Sequence, residues 1–204
     1  HDALPVGGGF LVNQGLADPQ THKALNELFY RQYQEGHLDI DEYLSFALGP
    51  MAGMTPESLS ALHRIFVKEH IEPILLDRAF DLIQEHRIKG DTIVIITATN
   101  TLVTRPIADR LGVEHLIGCE AEIENGYFTG KPSGTPSFAE GKVIRIKSWC
   151  ETQGQSMEGA VFYSDSHNDL PLLQAVYKPV AVDPDDRLKR EALRNGWDII
   201  SLRD

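Results

Sequence analysis

The pattern of apolar and polar positions changes once along the chain, near residue 91. Between Asp18 and Gly36, apolar residues recur every three to four positions, which predicts an amphipathic helix with Asp18-Pro19 at its start and Gly36 at its end. The same spacing predicts three further helices, over residues 39–48, from residue 55 onward, and from residue 75 to Gly90. Residues 18–90 are therefore predicted to be almost entirely helical.

After residue 91, short apolar runs rich in β-branched residues alternate with helical segments. "TIVIIT" (92–97) is typical of a strand buried on both faces, and "AVFYS", "PVAV" and "DIISL" predict further strands. Asn125-Gly126 predicts a hairpin turn. The alternation predicts an α/β fold with a parallel sheet that helices cover on both sides. The prediction for the whole chain is a short core remnant or linker at 1–17, a helical block at 18–90 and an α/β core at 91–204.

Charge and composition exclude several classes of partner. The formal net charge is −11 and the pI is about 5.1, so the surface repels nucleic acid and anionic membranes. No apolar run reaches the roughly 18 residues of a membrane span. Cys119 and Cys150 lack metal-site spacing, which favours two reduced thiols in a cytoplasmic protein. An anionic substrate would need local cations or a metal ion.

Polar residues follow two of the predicted strands, at the edge of the sheet where ligands bind in parallel α/β folds. Thr97 and Asn100 follow the first strand, and Asp165 and Asp169 follow "VFYS". Lys142 lies at a predicted helix start, where backbone N–H groups already favour anions. Each residue alone has a structural explanation, as a strand-ending hydroxyl, an exposed lysine or a helix cap. Together they indicate a Mg²⁺ and phosphate site, because Mg²⁺ prefers oxygen ligands.

Three motifs occur in the order "VIITATN", "GKVIR" and "YSDSHNDLPLL". With them, the chain resembles the haloacid dehalogenase (HAD) superfamily, in its phosphoserine-phosphatase-like branch. Further stretches, among them "TATNTLVTRPIADRLGV" and "FYRQYQEGHLDIDEYLSFALG", extend the resemblance over residues 10–204. It implies a Rossmann-like core with a parallel sheet, and an all-helical cap formed by residues 18–90.

The resemblance also implies roles for the polar residues. Thr97 would hydrogen-bond the transferring phosphoryl group, and Lys142 would neutralise its charge. Asp165 would ligate Mg²⁺, and Asp169 would ligate it or support its waters. Three residues would bind or orient the substrate: Asn100, Ser166 and Asn168. Candidates for substrate contact in the cap are Arg31, Tyr33, His63 and Arg64, with an exposed helix face as the alternative for each.

One part of the family pattern is not found. The nucleophilic aspartate belongs to D-x-D-x-[TV] after an apolar strand, but the D-x-D at Asp39-Ile40-Asp41 is followed by Tyr43 at the Thr or Val position. It also follows Gly36-His37-Leu38 rather than a strand. We therefore expect the central strand and the nucleophile to lie upstream of His1 in the natural protein, and the 204 residues alone to lack aspartyl-phosphate chemistry.

The leading hypothesis is a Mg²⁺-dependent phosphomonoesterase, expected as a cytoplasmic monomer or homodimer. Its substrate would be a small phosphorylated metabolite, such as an amino acid or amino alcohol phosphate. One alternative is a catalytically inactive phosphate- or partner-binding protein with the same fold. Another is a phosphotransferase that uses the same site, for which the acceptor would be a molecule other than water.

Overall fold

The structure is a computed structural model that describes Val12 and residues 15–203, so most of the predicted remnant at 1–17 lies outside the described residues. The four predicted helices are present, with the bounds α1 Pro19–Glu35, α2 Ile40–Leu48, α3 Pro56–Phe66 and α4 Asp77–Lys89. Short helical turns connect them, at Gly49–Met51, Val67–Ile71 and Glu72–Ile74. Within the described residues, no helix is long and apolar enough to cross a membrane.

Local capping explains where these helices begin and end. Asp18 accepts a hydrogen bond from Thr21 N at 2.8 Å, which satisfies one of the free N–H groups at the start of α1. Thr55 and Ser58 form a reciprocal capping box at the start of α3. α1 ends at Gly36, whose left-handed backbone (φ +77°) suits glycine.

The first two helices pack against a β-hairpin of the second half of the chain. Phe29 of α1 and Leu44 of α2 belong to a buried cluster that also contains Phe128 of the hairpin. The Phe29 and Tyr43 rings meet edge to face, with centroids 5.7 Å apart. This apolar contact places α1 and α2 on the α/β part of the molecule.

Residues 94–200 form six strands and four helices. In chain order they are β1 Val94–Asn100, α5 Thr101–Arg110, β2 His115–Glu124, β3 Tyr127–Ser133, α6 Glu140–Gln153, β4 Val161–Ser164, α7 Leu170–Leu173, β5 Lys178–Val182, α8 Asp186–Asn195 and β6 Asp198–Ile200. The predicted hairpin at Asn125-Gly126 joins β2 to β3, which are antiparallel. The α/β class with parallel strands and covering helices is confirmed.

β1 does not end where the sequence predicts. Its predicted range is 92–97, but the strand runs from Val94 to Asn100, because its parallel pairing with β2 resumes at Asn100, opposite Cys119, after an irregularity that follows Ile96. Helix α5 then begins directly at Thr101, since the Asn100 side chain accepts from Val103 N and caps it. The residues after Thr97 therefore belong to the strand and not to a turn.

The strands form two separate sheets among the described residues, β1-β2-β3 and β4-β5-β6. β1 and β4 line one cavity of about 390 Å³, through Val94 and Ile96 of the first sheet and Val161 and Phe162 of the second. In this part of the chain, β1 pairs only with β2 and β4 only with β5, so each keeps one edge without a partner strand. Unpaired backbone groups in an interior are costly. The expected central strand is thus absent from the described residues, at the place where the two sheets would join.

Candidate active site

A buried ion pair forms the centre of the candidate site. Lys142 Nζ lies 2.5 Å from Asp169 Oδ1, and both residues are less than a tenth exposed. Ser164, the last residue of β4, donates from Oγ to Asp169 Oδ2 at 2.7 Å. The Lys142 ammonium also lies 6.0 Å from the centroid of the Phe162 ring. Asp169 is therefore held at both carboxylate oxygens.

The start of α6 brings Lys142 to this position. A Cβ on Gly141 would lie 2.1 Å from Pro136 O, so only glycine allows the helix start to approach the preceding loop so closely. Lys142 follows directly, in the first turn of α6. α6 also packs against β1 and against α7, and so connects the two sheets. The lysine thus comes from one element and its aspartate from the end of another, as the sequence predicts.

The acidic loop, residues 165–169, connects this pair to helix α1. Ser166 Oγ accepts from Asn168 N at 3.2 Å, and Asn168 Nδ2 donates to Tyr33 O at 3.0 Å. The Tyr33 hydroxyl donates to Ser166 Oγ at 2.8 Å. Ser166 and Asn168 are buried, so the loop is ordered by its own hydrogen bonds and by α1.

The other predicted residues, Thr97 and Asn100, form a separate set at the end of β1. Thr97 Oγ1 accepts from Thr99 N at 3.1 Å, and Asn100 accepts from Val103 N and, through its carbonyl, from the Thr104 hydroxyl. Within the described part of the chain, these bonds stay inside β1 and the first turns of α5. The structure therefore brings Lys142 to the acidic loop, while it leaves Thr97 and Asn100 as a second polar set.

The side chains near the acidic loop could hold Mg²⁺ only if water molecules supplied most of its ligands. No cluster of three or more histidine, cysteine, aspartate or glutamate side chains with metal-binding geometry occurs in residue 12 and residues 15–203. Both oxygens of Asp169 are already engaged, by Lys142 and Ser164. Mg²⁺ is commonly held by one or two carboxylates and keeps several waters. The bonds of Asp169 to Lys142 and Ser164 are compatible with its predicted role as a support for the metal's waters.

Tyr33 is the cap candidate that reaches the acidic loop. Burial raises the pKa of its hydroxyl to about 12, so it remains a neutral hydrogen-bond donor at ordinary pH. Arg31 and Arg64 are exposed, as their alternative interpretation expects. His63 is partly buried, and burial lowers its pKa. These three candidates have no described contact with the acidic loop.

Sequence reasoning missed several residues that hold the loop. Ser164 fixes Asp169, and its position directly before the acidic motif was the only signal for it. Asp185 binds the Asp165 carbonyl through its own N–H at 2.9 Å, and its carboxylate accepts from His167. Asp185 lies 20 residues beyond Asp165, and nothing local in the sequence indicates the contact.

Comparison with known proteins shows the family of this chain. The sequence profile of the haloacid dehalogenase-like hydrolases matches residues 9–174, and the chain belongs to this family. A histidinol-phosphatase from Neisseria meningitidis serogroup C (strain 8013) is 40% identical over 198 residues, which cover 95% of this chain and 89% of the relative. Phosphoserine phosphatase SerB1 from Mycobacterium tuberculosis is 34% identical over 157 residues. That match covers 77% of this chain and 51% of the relative, so the chain spans only about half the length of some relatives.

Solved structures support the same fold. A protein of unknown function from Bordetella pertussis Tohama I superposes with a TM-score of 0.89 at 38% identity, over 98% of this chain and 91% of that one. A phosphoserine phosphatase with a phospho-aspartyl intermediate analogue superposes with a TM-score of 0.64 at 16% identity, over 99% and 85%. The second likeness shows the fold alone. The family and the phosphatases among its relatives support phosphatase activity for this chain.

Ser164→Ala is expected to remove the hydrogen bond that orients the Asp169 carboxylate. The substitution leaves a buried carboxylate oxygen without its donor, which costs about 1–3 kcal/mol of unfolding free energy. We also expect kcat/KM for phosphate release to fall about tenfold, since small displacements at a reacting centre are expensive. Denaturant unfolding and steady-state kinetics measure both effects. Ser148→Ala, at an exposed position on α6, is the control; equal stability and activity in the two variants would contradict the role of Ser164.

Proposed function

We propose that the protein is a Mg²⁺-dependent phosphomonoesterase that hydrolyses a small phosphorylated amino acid or amino alcohol through an aspartyl-phosphate intermediate. The observation that carries the proposal is the buried Lys142–Asp169 pair beside the acidic loop. A protein with a net charge of −11 needs local positive charge to hold a phosphate group. A buried lysine at a helix start is well suited to this because the helix dipole adds to its charge.

The described residues would act mainly by positioning and by electrostatic stabilisation, which account for most of the catalysis in phosphoryl transfer. Lys142 would neutralise charge on the phosphoryl oxygens. Ser164 would keep Asp169 oriented, and Asp165 would hold the metal ion. Mg²⁺, when bound, would neutralise further charge on the phosphate. Thr97 would donate a hydrogen bond to the transferring group from the end of β1.

We propose that the nucleophilic aspartate follows a further strand that pairs with β1 and β4. Two observations support this: β1 and β4 each keep one edge free of a described partner strand, and both line the same cavity. A parallel strand between them would pair both edges and would carry its following residues to the edge of the sheet where the acidic loop lies. A covalent aspartyl-phosphate would divide the hydrolysis into two easier steps.

The names of the relatives support a narrower substrate class for this protein. The Neisseria relative, which this chain matches over 89% of its length, is named a histidinol-phosphatase, and histidinol phosphate is an amino alcohol phosphate. Other relatives are named phosphoserine phosphatases. Both substrates combine a phosphomonoester with an ammonium group, which the acidic composition of this protein suits. Of the two, we favour histidinol phosphate, because the match to that relative has the higher identity and coverage.

A phosphate-release screen with the full-length natural protein tests this assignment. The panel contains L-histidinol phosphate, L-phosphoserine and phosphomonoesters without an amino group, each with MgCl₂. We expect kcat/KM for histidinol phosphate to exceed that for phosphoesters without the amine by at least about 100-fold, since unpaired polar groups in a substrate pocket are costly. Equal rates across the panel would contradict the substrate class. Phosphate found on an acceptor other than water would indicate a phosphotransferase, and no turnover of any ester a binding protein.

A further inference from the structure

The last turn of cap helix α1 is held on the acidic loop by bonds that cross more than 130 residues of sequence. Tyr33 contributes both its hydroxyl, to Ser166, and its carbonyl, to Asn168 Nδ2. The next residues, Glu35 and Gly36, contact a second group of side chains beyond the loop. The end of one helix of the cap is therefore attached to the segment proposed to hold Mg²⁺.

That second group consists of His167, Asp185 and Arg187. Asp185 Oδ2 accepts from His167 N and lies 2.8 Å from His167 Nδ1. A carboxylate can only accept, so Nδ1 carries the ring proton and Nε2 is left as an acceptor. Arg187 donates from one terminal nitrogen to His167 Nε2 and to Glu35 O, each at 3.0 Å. A continuous chain of hydrogen bonds thus runs from the loop to the end of α1.

Asp185 anchors this series of hydrogen bonds. Its Oδ1 accepts from Leu188 N at 2.8 Å and caps α8, and its N–H donates to Asp165 O. Asp185 therefore anchors His167 through its carboxylate and the Asp165 carbonyl through its own N–H, both at the start of the same helix.

A side chain at position 36 would require Arg187 and His167 to shift. A Cβ at this position would lie 2.8 Å from the Arg187 guanidinium and 2.9 Å from His167 Nε2. Gly90 ends α4 with almost the same backbone conformation (φ +82° against +77°), yet a Cβ there would meet nothing within 4 Å. The left-handed conformation alone is ordinary at a helix end. What distinguishes Gly36 is the side chains packed against it.

We propose that His167, Asp185 and Arg187 form a latch that holds the end of α1 against the acidic loop, and so positions Asp165 and closes the cap over the phosphate site. The three are positioning residues, which act on the reaction through the loop and the cap. This role rests on the proposed phosphatase function for its effect on kinetics, but the physical attachment of α1 can be measured without any substrate.

The sharpest test compares Gly36→Ala with Gly90→Ala in the full-length protein. Both changes put a Cβ on a left-handed helix end, so the backbone strain is matched, and only the first forces Arg187 and His167 away. We expect amide hydrogen exchange in residues 33–38 and 165–169 to be about tenfold faster in Gly36→Ala and unchanged in Gly90→Ala. Equal exchange in these segments in the two variants would overturn the latch.

A second pair of variants keeps the test decisive if Gly36→Ala folds poorly. Arg187→Gln removes the bonds to His167 and Glu35, whereas Arg190→Gln changes an exposed arginine of the same helix. We expect KM for the phosphoester to rise about tenfold to a hundredfold in Arg187→Gln, with a smaller change in kcat, and neither to change in Arg190→Gln. A purely structural role would lower the melting temperature of Arg187→Gln and leave KM and exchange in the two segments unchanged, which would overturn the proposal.

The double variant Gly36→Ala/Arg187→Gln provides a further check. Both changes disrupt one contact, so their effects on exchange in residues 33–38 should be clearly less than additive. Full additivity would show that the two residues act independently and would contradict the latch. If the protein released no phosphate from any ester, the proposed function would fail, and the exchange measurements would still decide whether the latch exists.

Discussion

Lys142→Met is expected to reduce kcat/KM for phosphate release by about 10³-fold, because it removes the buried positive charge proposed to face the phosphoryl oxygens. The same change leaves Asp169 as a buried carboxylate without its cation. Breaking a buried ion pair in this way costs about 3–5 kcal/mol of unfolding free energy. Steady-state kinetics and denaturant unfolding measure the two effects on one preparation.

Two further variants separate catalysis from folding. Lys147→Met, at an exposed position of the same helix, should change neither activity nor stability. Lys142→Met/Asp169→Asn removes both charges and should recover much of the lost stability, while kcat/KM stays at least as low as in Lys142→Met. Recovered activity in the double variant would show that Lys142 serves only to neutralise Asp169. Unchanged activity in Lys142→Met would remove the residue from the mechanism.

Asp165→Asn is expected to weaken Mg²⁺ binding by at least about 100-fold, since loss of even an outer-shell partner of a metal site costs 10- to 100-fold. Asp165 is the proposed direct ligand, since the sequence motif assigns it to Mg²⁺ and Asp169 is already bound at both carboxylate oxygens by Lys142 and Ser164. Isothermal titration with MgCl₂ measures the affinity directly, without substrate. Phosphate release should fall in parallel.

The control for this prediction is Asp81→Asn, which removes the same charge from an exposed position of α4. Its Mg²⁺ affinity and activity should equal those of the unchanged protein. If Asp165→Asn also kept its affinity while Asp169→Asn lost it, the assignment of the two aspartates would be reversed. If both kept it, the acidic loop would not be the metal site.

Most of the fold was predictable because its signals are local. Cap residues such as Asp18 and Thr55, and terminating glycines such as Gly90, satisfy or release backbone groups within one turn, so they can be recognised in the sequence. The true end of β1 was not predictable in the same way. Its last residues are in a strand because they pair with β2, and that pairing depends on residues about 20 positions away.

The candidate site also combines residues that the sequence predicts with contacts that it does not predict. The ends of strands and the start of α6 are visible in the sequence, so Lys142 and Asp169 could be predicted to meet. The contact of Arg187 with Glu35 O could not, because it joins residues 152 positions apart across the cap and the core. Ser164 was missed for another reason: a serine at the end of a strand has many ordinary roles, and only the distance to Asp169 identifies this one.

The most direct measurement is Mg²⁺-dependent phosphate release from a small phosphomonoester by the full-length natural protein. The prediction is turnover with MgCl₂, loss of turnover after EDTA treatment, recovery on adding Mg²⁺, and a kcat/KM about 10³-fold lower in Lys142→Met with MgCl₂. Turnover that persists in EDTA, or that survives in Lys142→Met at the rate of the unchanged protein, would contradict it.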